Sequence, residues 1–128
     1  MRIIIISPPL DNSGGIGTLY QYAKRYFSGD IDVKFIDSRG YSKYAIITLL
    51  KLPYTIIKIL VANRKFKPDL LHINISGGAS ILRKFLIARI VSSWGKVPYV
   101  MQLHSGSFVK QIADLPNFLS KPILRIIN

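Results

Sequence analysis

The chain contains no cysteine. That excludes disulfides and thiolate metal sites, and it fits a reducing compartment. Acidic residues are scarce: six stand against 18 lysines and arginines, a formal net charge of +12 over 128 residues. None of the six forms an evident pair, so the general acid and nucleophile of a two-carboxylate glycosidase lack candidates. The N-terminus lacks the charged, then apolar, then small-residue order of a secretory signal, and the Ile3–Ile6 run is too short for one. Internal repeats and low-complexity segments are missing as well.

What is present suffices for one domain with a real core, since 49% of the residues are apolar. The strong positive charge favours anionic partners, whether nucleic acid, acidic lipid headgroups or phosphorylated substrates; the plainer alternative is a merely basic soluble surface. The most informative stretch is the opening. Ile3-Ile4-Ile5-Ile6 reads as a strand, the loop after it ends Ser13-Gly14-Gly15-Ile16-Gly17, and a helix follows with Leu19, Tyr20, Ala23, Tyr26 and Phe27 on one side. Strand, glycine loop and helix in that order aim backbone N–H groups at an anion.

Short aliphatic runs predict strands at Arg2–Ser7, Val33–Asp37, Leu70–Asn74 and Tyr99–Leu103. Helices are predicted over Gly17–Phe27, within Tyr41–Asn63 (which contains Pro53), and over Ser80–Ser93. The alternation predicts an α/β fold, a Rossmann-like doubly wound parallel sheet. Right-handed crossovers then gather Ser7 to Gly17, Asp37 to Gly40, Asn74 to Gly78 and His104 to Ser107 on one sheet edge, where a ligand is expected. From Asp114 to Asn128 the sequence predicts one or two short helical pieces broken by Pro116 and Pro122. With no fifth strand, the sheet reads as unfinished, and its exposed apolar surface predicts a partner or self-association.

The glycine loop admits three readings. A dinucleotide fingerprint would use Gly15 and Gly17, with Asp37 as the ribose-binding acid, but Tyr20 stands at the third glycine position. The Ser7–Ser13 stretch also makes the turn longer than that fold uses. A plain structural turn is the second reading. The third is a phosphate cradle of another kind.

Three segments resemble retaining glycosyltransferases with the GT-B fold, family 4. Pro8-Pro9, Gly14-Gly15-Ile16 and the helical Leu19 and Ala23 resemble the start of that family. Lys67-Pro68-Asp69-Leu70-Leu71-His72-Ile73-Asn74 is similar to its third-strand motif, and Val97-Pro98-Tyr99 through His104-Ser105-Gly106 to its next strand. The resemblance covers residues 1 to about 112. It implies the N-terminal, acceptor-side half of an enzyme that moves a sugar from a nucleotide-sugar donor to a polysaccharide or glycolipid acceptor, retaining anomeric configuration. It further implies that Gly14, Gly15, Ile16 and Gly17 meet the donor diphosphate. His104 would act beside the reacting sugar, and Asn74, Ser76, Ser105 and Gly106 would bind substrate. No metal or separate cofactor is expected, because N–H dipoles and cations can stabilise the leaving diphosphate. The family's second, nucleotide-sugar-binding domain is not in these 128 residues, so a single truncated domain is expected, inactive alone unless another domain or a partner chain completes it. A hydrogen-bonded structural histidine is the simpler alternative for His104, and the favoured reading for His72.

The Tyr44–Ala62 stretch is strongly apolar but is interrupted by Lys51, Pro53 and Lys58. Each central lysine costs roughly 2.5–3.5 kcal/mol on insertion scales, which argues against spanning a bilayer. Contact with a membrane surface is the alternative: Lys43, Lys51, Lys58, Arg64, Lys65 and Lys67 could meet acidic headgroups, giving a cytoplasmic protein peripheral to the inner face. Packing against the sheet with a solvated basic rim is the plain reading. A competing function is a non-enzymatic anion- or nucleic-acid-binding module using Tyr20, Tyr22, Tyr26, Tyr41 and Tyr44. Their spacing favours the core, so no nucleic acid is expected.

Overall fold

The computed structural model describes residues 1–9, 15–26, 29–38 and 45–127. Gly14, Phe27, Gly40, Tyr41, Lys43 and Tyr44 lie outside the described residues. Four strands, β1 (Arg2–Ser7), β2 (Asp32–Asp37), β3 (Leu70–Ile75) and β4 (Tyr99–Leu103), form one sheet in the order β2-β1-β3-β4. All pairings are parallel, with Ile5 opposite Phe35 on one side and His72 on the other. The protein is a small α/β domain of the generic doubly wound, Rossmann-like kind. The strand expectations hold to within a residue at either end.

Six helices accompany the sheet among the described residues: α1 (Gly15–Tyr26), α2 (Ala45–Leu50), α3 (Leu52–Phe66), α4 (Ala79–Gly95), α5 (Phe108–Ala113) and α6 (Asn117–Ile127). The main core lies on one sheet face, where Ile4, Ile6, Leu71, Ile73 and Ile75 meet Ile59 of α3 and Ile87 and Val91 of α4. Helix α4 is apolar nearly all round, as a helix packed on several sides must be. Helix α1 covers the opposite face through Tyr20, whose ring stands edge-on to Phe35 and His72.

Three expectations need correction. The amphipathic side of α1 is narrower than its spacing predicts. Tyr20 is buried, whereas Leu19, Tyr22 and Tyr26 are exposed, because no other described element packs on the outer side of this helix. Pro53 stands in the first turn of α3, just after the Lys51 turn that joins it to α2. Pro122 does not break the C-terminal segment but lies inside α6. The donor it removes is the one that would meet the carbonyl four residues back at Phe118, and both Phe118 and Pro122 are exposed residues. Third, no helix is predicted where α5 stands: it lies wholly before the Asp114–Asn128 tail, and Phe108 and Ile112, four residues apart, bury one face of it in the main core.

The Pro68-Asp69 pair has a local structural task. Asp69 accepts a hydrogen bond from the Arg2 N–H at 2.7 Å and returns its own N–H to the Arg2 carbonyl at 2.8 Å, so β1 and β3 start in register. Just before it, Lys67 adopts the left-handed conformation and donates its N–H to Asn63 O, ending α3.

Candidate functional site

All four strands point their C-terminal ends to one edge. The chain steps outward from β1 to β2, then returns past β1 to β3 and β4. The helices after β1 and β3 therefore lie on opposite faces, so the point where the strand order reverses falls between these two strands, the usual ligand position in an open α/β sheet.

The first candidate element is the start of α1. Gly15, Ile16 and Gly17 form its first turn, no acidic residue occupies that turn, and a side chain at Gly15 would meet nothing within 4 Å. The first N–H groups of a helix have no intrahelical acceptor and carry about half a positive charge between them. Gly14, expected to share this role, lies outside the described residues.

Asn74 is the second candidate, near the C-terminal end of β3. It is 1% exposed, and neither its Oδ1 nor its Nδ2 has a hydrogen-bond partner among the described residues. Tyr20 rests over His72, two residues earlier on β3. Asn74 lies two strand residues, about 6.6 Å, nearer the C-terminal edge of the sheet than His72. A buried amide without partners costs about 1–3 kcal/mol, a cost that a ligand at this position would remove.

His104 follows β4 directly. Its N–H donates to Ile75 O at 2.9 Å, continuing the ladder, and its Nε2 is buried with no partner among the described residues. Ser76 and Ser105 are half-buried beside it, while Gly106 is exposed with open space at its Cα. Asn74 near the end of β3, Ser76 just after it, and His104, Ser105 and Gly106 just after β4 thus share one edge of the sheet. The Ser105 hydroxyl is partly engaged elsewhere: it lies 3.0 Å from Ser107 Oγ, which accepts from Gln111 Nε2 at 2.7 Å, and Gln111 Oε1 accepts from Gly78 N–H at 2.8 Å. This chain ties the turn after β4 to the start of α4. It also explains two glycines. A Cβ on Gly77 would lie 2.7 Å from the Gln111 amide, and Gly78 has φ +68°.

His72 has the structural role expected of it. Tyr20 Oη lies 3.4 Å from its Nδ1 and donates to Gln102 Oε1 at 3.2 Å. Burial pushes the His72 pKa below the usual histidine value; a hydrogen bond with Gln102 opposes this, and nearby His104 adds to it. His72 is therefore neutral at neutral pH. Burial also pushes the Tyr20 phenol up to about 12.

Two residues here were not singled out from the sequence. Gln111 bridges two turns through contacts that only the fold creates. Lys84 is 1% exposed and donates from Nζ to Ile6 O at 3.0 Å, behind the end of β1. Burial holds its ammonium well below the usual lysine range, with Arg83 pushing the same way and Asp37 opposing. The available signal was the nearly all-round apolar character of residues 79–95, which makes a mid-helix lysine an interior one.

Among the described residues, no group of three or more histidines or acids is placed to hold a metal ion. Chemically, this sheet edge carries helix N–H groups, a buried amide, hydroxyls and one imidazole: a set suited to anionic and polyhydroxylated ligands. Compared with family models, curated proteins and solved structures, the chain matches none, so its reading rests on this geometry.

Proposed function

We propose that the chain is the acceptor-side domain of a GT-B-type retaining glycosyltransferase, serving transfer from a nucleotide-sugar donor to a polysaccharide or glycolipid acceptor. The observation that carries the reading is that two neighbouring strands, β3 and β4, end in buried polar groups without partners among the described residues, the Asn74 amide and the Nε2 of His104. In such a reaction negative charge grows on the leaving diphosphate, and fixed N–H groups at Gly15, Ile16 and Gly17 stabilise it without reorganising. His104 donates a hydrogen bond to the sugar or accepts one from it. Asn74 and Ser76 orient hydroxyls, and Ser105 and Gly106 leave room for the acceptor. A second domain would supply the nucleotide contacts, so the isolated chain is expected to bind without turning over. A cytoplasmic position, peripheral to the inner face of a membrane, accompanies this reading.

Thermal unfolding with UDP, GDP and their sugar conjugates tests it. At least one nucleoside diphosphate should raise the melting temperature, its sugar conjugate should raise it further, and Asn74→Ala should reduce that further rise. His104→Ala should remove only the increment contributed by the sugar. Unchanged melting with every nucleotide and every oligosaccharide acceptor would refute the reading.

A second reading, an anion- or nucleic-acid-binding module, draws on the exposed Tyr22 and Tyr26 beside Lys24 and Arg25, with Arg25 5.8 Å from the Tyr22 ring centre. Binding of a labelled oligonucleotide that falls steeply with salt and fails in Tyr22→Ala and Tyr26→Ala would favour it instead.

A further inference from the structure

Helices α2 and α3 run on across Lys51, whose N–H donates to Ile47 O and whose carbonyl accepts from Thr55 N–H. The resulting 21-residue stretch, Ile46–Phe66, is long and apolar enough by length and composition to cross a membrane. Its two sides have different environments. Leu52, Thr55, Ile59 and Ala62 are buried, Ile59 completely. Ile46, Leu50, Tyr54, Ile57 and Val61 follow one another at helical spacing on the outer side and are 45–76% exposed. Trp94, at the end of α4, is 76% exposed and lines an open groove with Ile57, Val61 and Arg64.

Charge around this stripe is of one sign. Lys51, Lys58, Arg64 and Lys65 are exposed along it, and the sequence has no acidic residue between Asp37 and Asp69 or between Asp69 and Asp114. We infer that the outer side of α2–α3, with Trp94, is a docking surface for an anionic lipid bilayer, on which the helix lies in the interface plane. Apolar side chains enter the acyl boundary, the indole sits at headgroup depth, and the cations meet phosphates. Spanning is excluded for the folded domain, because it would strip Ile59 and its neighbours from the core. An acid-rimmed protein partner or a second copy could also cover an apolar stripe. A second copy, however, would bring the same cations face to face. The inference stands whether or not the chain serves sugar transfer.

Trp94 is the sole tryptophan, so its fluorescence reports this surface alone. The full chain is mixed with phosphatidylcholine vesicles, with and without phosphatidylglycerol, and with vesicles carrying brominated acyl chains. The expected result is co-sedimentation with the anionic vesicles, a blue-shifted Trp94 emission and quenching by the brominated lipid. Lys58→Gln with Lys65→Gln should weaken that binding roughly 25-fold, about fivefold per charge. Leu50→Ser with Ile57→Ser should remove the blue shift while leaving the circular dichroism unchanged, since both residues are exposed. Three results would overturn the inference: no binding, binding in which Trp94 is not quenched (another basic face is used), or a lipid-free blue shift that follows protein concentration and dimer formation.

Discussion

Lys84 is the residue whose environment most changes its chemistry. An amine whose pKa is lower in the folded chain takes up its proton first in the unfolded chain, so acidification favours unfolding. Stability should therefore rise with pH through the alkaline window below the ordinary lysine value of 10.5. Tyr20 acts in the opposite direction. Its phenol contributes stability that is intact below pH 10 and lost as pH rises towards about 12. Urea denaturation across this range should show a rise and then a fall in the wild type, and only the fall in Lys84→Met. At neutral pH that variant should change stability by about 1 kcal/mol or less, because the lost hydrogen bond and the relieved desolvation oppose each other. Lys84→Ala adds a cavity and should cost about 2–5 kcal/mol. His72 sets the acid side: with its folded pKa below 6.5, stability is full above that value and is lost as pH falls through the folded pKa. His72→Gln should flatten the stability profile between neutral pH and pH 5.

Among the elements, the turn from β3 into α4 depends most on one backbone conformation. Gly78 has φ +68° and ψ −142°, a region essentially reserved for glycine. Gly78→Ala should lower stability by about 1–3 kcal/mol, whereas Gly106→Ala, with open space at its Cα and no positive φ, should fall within about 0.5 kcal/mol of wild type. Comparing the two in denaturant titrations isolates the strain. At the C-terminus, Pro122→Ala restores a helical N–H and should raise the helical circular dichroism and the melting temperature together. The strands were legible because a sheet strand covered on both faces must be nearly all aliphatic, as Ile3–Ile6 and Leu70–Ile73 are. Helix α5 was not legible, since Phe108 and Ile112 make only one repeat of a periodic signal. The placing of Pro122 was illegible for a different reason: whether proline ends a helix depends on whether the freed carbonyl can find another partner.

At the scale of the whole molecule the two sheet edges differ. Strand β2 carries exposed Asp32 and Lys34, charges that discourage pairing with another sheet, while β4 has no charged residue and exposes Val100 and Leu103. Self-association through β4 is the expected result. Val100→Lys should shift sedimentation velocity profiles towards the monomer, and an unchanged distribution would place the contact elsewhere. The candidate site was legible in part. The sheet-edge loops were read from the ends of predicted strands and the roles of the glycines, Asn74, Ser76 and His104 from the resemblance, but the lack of partners around the Asn74 amide could appear only in the folded chain. By itself, the sequence determined the alternating elements, the parallel sheet and the basic, cysteine-free surface, because aliphatic runs and charge are local properties. Tertiary structure alone decided the strand order, the burial of Lys84 and which side of α3 faces outward. Each depends on which surfaces meet, and residues as far apart as Ile6 and Lys84 or Tyr20 and Gln102 acquire their environments only from that meeting.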